Sequence, residues 1–397
     1  SSASENPTTV TGPSGVKMTG PYEYVPPNYW LTDKEAGGAH GYNTETSPGP
    51  AIPPLESLKR FIPADHLWPI DDVWNYHAGG ERFTTIGVFA NGVDRRYGKA
   101  ENLEDFLRKA QAMTYEGERA MFEAYGRNKY VSTGVIQWML NNAWPSIIWH
   151  LYDYYLVPAG GYFGTKKACE PVHVQYSYDD HSVAVINAHD RPLSGMKVAA
   201  RLYSMDSKEI ASREATLSLA ADSSTRAFPL PTVAPETKAY FLRLQLRDGA
   251  GALASDNFYW LSTKPDVLDW AKKQDTVYTP QSDYADLSPL SALPKVALTT
   301  RSRVEAQGAD GVVHVDLENP TPDIAFMVRA RLTRGRGGED IAPIFWDDNY
   351  VSLLPGEKRA LTGRYSASAL SGSEGIVEVD GWNIVAGPAG GGVAGPR

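Results

Sequence analysis

The feature that most constrains this chain is a change of hydrophobic period near Glu170. Before it, segments are long and rich in aromatic residues. "NLEDFLRKAQAMTYEGERAMFEAYGRNK" (Asn102 to Lys129) places Leu103, Phe106, Leu107, Ala110, Met113, Met121 and Ala124 at helical spacing, which predicts an amphipathic helix. After Glu170 the runs are short and alternate, as in "VHVQYSYDDHSVAVINAHDRPLSGMKVAARLYS" (Val172 to Ser204) and "AYFLRLQLRDGAGALASDNFYWLS" (Ala239 to Ser262). Turn dipeptides such as Asp248-Gly249 separate them. A period of two with no helical repeat predicts an antiparallel β-sandwich. Beyond a Pro- and Asp-containing connector (Thr263 to Pro289), "VHVDLENPTPDIAFMVRARLT" (Val313 to Thr333) and "GIVEVDGWNIV" (Gly375 to Val385) show the same habit and predict a second sandwich.

In the first region, "GAHGYNTE" (Gly38 to Glu45) precedes "LESLKRFI" (Leu55 to Ile62). The helix is followed by "STGVIQWML" (Ser132 to Leu140), a run too short for a typical helix and suited to a strand buried on both faces. Strand, helix, strand implies consecutive units of a parallel α/β structure. The expected organisation is an α/β region over 1–167, a sandwich over 168–265, a linker over 266–289, and a second sandwich over 290–397 ending in a flexible tail, "AGPAGGGVAGPR".

Charge narrows the function classes. The net charge is −9, and the basic residues are scattered apart from "RARLTRGRGG" (Arg329 to Gly338), so no basic stripe invites nucleic acid. No run of eighteen apolar residues suggests a membrane span, and the first twenty residues lack the layout of a signal peptide. The polar opening "SSASENPTTVTG" suggests a processed or truncated product. The single Cys169 has no disulfide partner and no metal-ligand spacing around it, and reads as a buried thiol.

A parallel α/β region places its chemistry at the carboxyl ends of its strands. Glu45 falls at one such end, before a Pro/Gly-rich loop. "QWMLNNAWPSIIWHLYDYY" (Gln137 to Tyr155) falls at the next, where Trp138 and Trp144 offer flat apolar faces beside the amides of Asn141 and Asn142. That mixture suits sugar rings, whose C–H faces stack on aromatics while amides bond the hydroxyls. In "WNYHAGG" (Trp74 to Gly80), Tyr76 and His77 are placed to face the same mouth. Other acids read as structural. Glu23, Asp33 and Glu35 lie in a long loop and are expected to be solvated or to pair with neighbours. Glu116, Glu118 and Glu123 sit on the helix, with Glu116 three before Arg119 and Glu123 four before Arg127, so surface ion pairing is the expected role of these acids. His40 and His77 lack close metal-ligand partners.

The motif W-x-L-N-x-x-W-P (Trp138 to Pro145), continuing through Trp149, "YDYY" and "GYFGTKKACEP" (Gly161 to Pro171), resembles the last barrel strand and exit segment of the β-mannosidase side of glycoside hydrolase family 2. "VKMTGPYEYVPPNYW" (Val16 to Trp30) and "GYNTETSPGPAIPPLESLKRFIP" (Gly41 to Pro63) resemble the branch of the mannosylglycoprotein endo-β-mannosidases and exo-β-D-glucosaminidases. The resemblance covers the chain as the C-terminal half of such an enzyme. It implies the C-terminal part of a (β/α)8 TIM barrel followed by two immunoglobulin-like sandwiches. It also implies retaining hydrolysis, with Glu45 as the nucleophile and Asn43, Trp138, Asn141, Trp144, Tyr76 and His77 about the substrate. The general acid/base belongs to an earlier barrel strand, so a tight N-terminal polypeptide of the same precursor is the expected partner, because half a barrel leaves parallel edges unpaired. No metal or organic cofactor is implied. The expected substrate is a β-mannoside, the Manβ1-4GlcNAc linkage of N-glycans. The alternatives are β-glucosaminides of chitosan oligosaccharides and a non-catalytic carbohydrate-binding scaffold. A glycan substrate favours the secretory route, a vacuole or a periplasm.

Overall fold

The structure, a computed structural model, describes residues 15–78, 86–274 and 278–388. The polar opening, the end of "WNYHAGG" and the tail beyond residue 388 lie outside the described residues.

Three parallel strands open the fold in the order β1 (Val16–Lys17), β2 (Gly41–Thr46), β3 (Ser132–Gln137). A short helix, α1 (Tyr29–Thr32), joins the first two. Between β2 and β3 run α2 (Leu55–Leu58), α3 (Asp72–Tyr76), α4 (Gly87–Tyr97) and α5 (Leu103–Arg127). The α5 helix starts where Asn102 accepts the Asp105 backbone N–H at 2.9 Å, with Glu104 and Asp105 in its first turn and Arg127 in its last, matching the helix dipole at both ends. α6 (Gly160–Ala168) packs closely on it. A Cβ at Gly160 would stand 2.4 Å from the Gln111 carbonyl oxygen, and one at Gly164 would stand 2.2 Å from that of Tyr115, so this approach requires glycine.

One expectation is corrected at β3, which is not buried on both faces: Thr133 and Ile136 are exposed. The reason is its position, because among the described residues β3 pairs with β2 alone.

The first antiparallel pair of sheets is β4 (Val172–Tyr176), β5 (Ser182–Asn187), β8 (Ser223–Pro229) against β6 (Leu193–Tyr203), β7 (Glu209–Leu219), β9 (Ala239–Arg247), β10 (Leu253–Ser262). Val174, Val183 and Val185 meet Val198, Leu242 and Leu244 in its core. The connector carries secondary structure among its described residues. It holds a small pair, β11 (Val267–Leu268) with β12 (Gln281–Asp283), and Asp266 accepts from Arg96, the Gln281 amide and the Ala285 N–H at 3.2, 2.8 and 2.9 Å. The second pair comprises β13 (Thr299–Gln307), β14 (Asp310–Glu318), β18 (Lys358–Ser366) and β16 (Ile344–Trp346) against β17 (Val351–Leu353), β15 (Ala325–Arg334), β19 (Gly375–Asp380) and β20 (Gly387–Pro388).

α5 joins these layers, and this overturns the surface-pair reading of its acids. Glu116 receives Arg96 at 2.5 Å and the Tyr178 hydroxyl at 3.2 Å. Glu123 receives His173, Asn257 and the Tyr259 hydroxyl at 2.9, 2.8 and 2.7 Å. Arg119 lies 3.8 Å over the Tyr259 ring and donates to Asn257 and the Phe258 carbonyl, while Arg127 forks onto Asp179. The side of α5 that would face water in an isolated helix is covered by the first sandwich, so its charges are buried and must be paired. Glu118 differs: it is fully buried, and neither carboxylate oxygen has a hydrogen-bond partner among the described residues. Cys169, expected as a buried thiol, lies exposed at the C-terminal cap of α6.

Candidate active site

Glu45 occupies the carboxyl end of β2, half-buried, on the same face as Asn43 because side chains two apart in a strand point the same way. Asn43 is fully buried beneath it, its amide 3.4 Å from the Gly20 carbonyl and its oxygen 3.4 Å from the Glu45 backbone N–H. Thr44 points elsewhere, to the Lys17 carbonyl at 3.1 Å. The donor to the Glu45 carboxylate is Tyr22, whose hydroxyl stands 2.8 Å from Oε1. Burial, and then the neighbouring carboxylate, hold the Tyr22 phenol well above its usual range, so it stays protonated and donates. Trp149 fixes Tyr22 in turn: its indole N–H reaches the Tyr22 carbonyl at 2.7 Å, and the two rings meet edge to face at 5.7 Å. Sequence reasoning missed Tyr22, which lies 23 residues before Glu45 in a stretch without strand periodicity. The available signal was "GPYEY" within the motif that carried the family resemblance.

The end of β3 lies beside Glu45. Gln137 is in register with Thr46, and the Trp138 backbone N–H donates to the Thr46 carbonyl at 2.9 Å. Trp138 and Asn141 are exposed there. Asn142 is not available to a ligand: it is buried and bonds Ser146 Oγ and the Ile148 carbonyl, closing the turn between them. The loop after Glu45 is fastened to this turn, with the Ala51 N–H donating to Ile147 at 3.2 Å.

Tyr76 and His77, at the end of α3, come together with Trp144. The His77 ring stacks on Trp144 at 5.3 Å, Tyr76 meets Trp144 edge-on at 5.8 Å, and His77 Nδ1, facing the Pro145 carbonyl at 2.7 Å, carries its proton there. The predicted residues therefore form two joined groups, Glu45, Asn43, Trp138 and Asn141 at the strand ends and Tyr76, His77 and Trp144 on the adjoining loops.

The other acids take separate roles. Asp33 is buried and accepts the N–H groups of Ala36 and Gly38 at 2.9 and 2.7 Å, so of the two expected roles it takes pairing with neighbours. Glu35 is exposed. Glu23 hydrogen-bonds to nothing among the described residues, and burial pushes its carboxyl up to about 7. No cluster of three metal-ligating side chains occurs among the described residues, and no helix there is long and apolar enough to cross a membrane. A cavity of about 280 Å³ between Leu107, Gln111 and Trp382 includes none of the residues above.

Two family models match the β-rich regions: a mannosidase Ig/CBM-like domain over residues 179–264 and an exo-beta-D-glucosaminidase Ig-fold domain over 276–384. The chain is 43% identical to an exo-beta-D-glucosaminidase of Streptomyces avermitilis over 96% of its own length and 43% of the relative's. It is 21% identical to a mannosylglycoprotein endo-beta-mannosidase of Lilium longiflorum over 92% of its length and 44% of that protein's. Among solved structures, the exo-chitosanase CsxA of Amycolatopsis orientalis superposes with a TM-score of 0.91 at 40% identity, covering 98% of this chain and 47% of that one. The chain thus spans less than half the length of these relatives.

Proposed function

Because this chain belongs to glycoside hydrolase family 2, as the C-terminal half of the branch holding exo-β-D-glucosaminidases and mannosylglycoprotein endo-β-mannosidases, we propose that it supplies the nucleophile of a retaining β-glycosidase acting on β-glucosaminides. The observation that carries this reading is the strand-end carboxylate of Glu45, held by the Tyr22 hydroxyl beside exposed Trp138. On it, β1, β2 and β3 are the last strands of a (β/α)8 barrel whose earlier strands lie outside this sequence.

In the reaction, Glu45 attacks the anomeric carbon from one face while a carboxylic acid on the other protonates the departing oxygen. The same acid, now a base, then activates water to release the sugar from Glu45. Retaining enzymes hold the two carboxyl groups roughly 5 Å apart. The family resemblance puts the acid/base on an earlier barrel strand, so it is assigned to the polypeptide outside this sequence, whether continuous with it or a partner chain. Asn43 supports the floor of the site, and Trp138 and Asn141 border the sugar.

The lean toward β-mannosides drawn from sequence gives way here. The relatives named exo-beta-D-glucosaminidase are 36 to 43% identical to the chain, whereas the endo-mannosidase is 21% identical. The test is trapping with 5-fluoro-β-glucosaminyl fluoride and its mannosyl counterpart, followed by peptide mass analysis. Glucosaminyl adduct on the peptide bearing Glu45, absent from Glu45→Gln, is the expected result. Labelling elsewhere, or by the mannosyl reagent alone, would overturn it.

A further inference from the structure

Resting on the proposed activity, we infer that Gln137 and Trp149 are positioning residues that act on Glu45 through Tyr22. Tyr22 lies outside any helix or strand, between β1 and α1, so a hydroxyl held 2.8 Å from Glu45 has to be aimed by its neighbours. Two bonds bracket it. Before it, the Pro21 carbonyl accepts the N–H of Ser47, two residues beyond Glu45, at 3.0 Å. After it, the Tyr22 carbonyl accepts the Trp149 indole N–H at 2.7 Å, with the two rings edge to face.

Trp149 keeps its place against its own backbone preference. Its φ is +58°, in the left-handed region where the Cβ of a bulky residue is crowded. Such a conformation persists only where the surroundings impose it. Here the Trp149 carbonyl accepts the Met139 N–H and, at 3.3 Å, the Gln137 side-chain amide.

The same amide nitrogen stands 3.2 Å from the Trp138 carbonyl and 3.3 Å from Ser47 Oγ. Two of its three partners are carbonyls, so the nitrogen and not the oxygen of the amide faces them. One side chain at the end of β3 therefore meets the exit of β2, the exit of β3 and the residue whose indole holds Tyr22. The path runs Gln137, Trp149, Tyr22, Glu45. Loosening either of the first two releases the Tyr22 hydroxyl from the carboxylate while the Ser47 to Pro21 bond still anchors the loop.

The experiment uses the protein together with the polypeptide that supplies its acid, acting on an aryl β-glucosaminide. Trp149→Phe keeps a ring and removes the N–H, and Gln137→Met keeps the length and removes the amide. Each should lower kcat about three- to tenfold with KM nearly unchanged. In a Tyr22→Phe background the same substitutions should cost nothing further, because the hydroxyl they aim is gone. Additive losses, or a change in KM alone, would assign both residues to the fold and overturn the inference.

A second readout needs no turnover. With a fluorine label on the Tyr22 ring, Gln137→Met leaves both rings in place and should move the Tyr22 resonance toward its position in Glu45→Gln. A resonance that stays at the parent position would equally overturn the inference. Absence of hydrolysis by the parent would remove the proposed activity, whereas the label reports on Gln137 in either case.

Discussion

The Tyr22 hydroxyl stands 2.8 Å from Glu45 Oε1, a donor aimed at the carboxylate that closes β2. A hydrogen bond to a charged group contributes about 1.5–3 kcal/mol, which corresponds to about ten- to a hundredfold in rate when the geometry is needed in the transition state. Tyr22→Phe should lower kcat by that range with little change in KM on an aryl β-glucosaminide, and steady-state kinetics on the folded variant checks it. An unchanged kcat would mean that Glu45 does not depend on Tyr22.

Arg96 is buried between Glu116 at 2.5 Å and Asp266 at 3.2 Å, which ties α4 and α5 to the connector. Removing one partner leaves buried carboxylates uncompensated, at a cost of about 3–5 kcal/mol. Arg96→Ala should lose stability on that scale in urea unfolding. A loss below about 1 kcal/mol would argue that the network is solvated.

Glu118 has no partner among the described residues, and burial pushes its carboxyl well above the ordinary value of 4.5. Its folded-state value exceeds its unfolded one, so the folded protein binds the extra proton. Stability is therefore full below about pH 4.5 and declines as pH rises toward the folded value. Glu118→Gln, which mimics the protonated acid, should melt higher than the parent at neutral pH, with a gap that narrows on acidification. Thermal melts from pH 4 to 8 check this, and a gap independent of pH would refute it.

His150 has the opposite sign. It is buried with neither ring nitrogen hydrogen-bonded among the described residues, and burial lowers it from 6.5 to about 3. A depressed folded value contributes stability above about pH 6.5 that is lost as pH falls toward 3. The His150 ring proton resonance should hold its neutral position to below pH 5, and His150→Leu should flatten the acid side of the stability profile. A ring that titrates near 6.5 would disprove the burial.

The legible parts of the sequence were those with a local signature. Glu45 stood where an apolar run met a Pro/Gly loop, and the Trp138 to Pro145 motif marked the neighbouring strand end. The alternation after Glu170 announced the β-rich regions. What could not be read was pairing across distance. Helical spacing offered Glu116 to Arg119 and Glu123 to Arg127, whereas the folded chain gives these acids to Arg96 and His173, from segments whose arrival on α5 no local period records. Tyr22 escaped for the same reason. Substrate choice escaped because the motifs from Val16 to Trp30 and Gly41 to Pro63 resemble the endo-β-mannosidases and the exo-β-D-glucosaminidases alike.

α5 sends its charged side chains into layers on several sides, and this bears on how the molecule comes apart. Detaching the first sandwich would strand Arg119 and Glu123 without their acceptors and donors, and opening the connector would strand Arg96. Neither piece can leave cheaply, so the parts that look separable in sequence should share a single melting transition, with α5 acting as a common axle rather than as one wall of one layer.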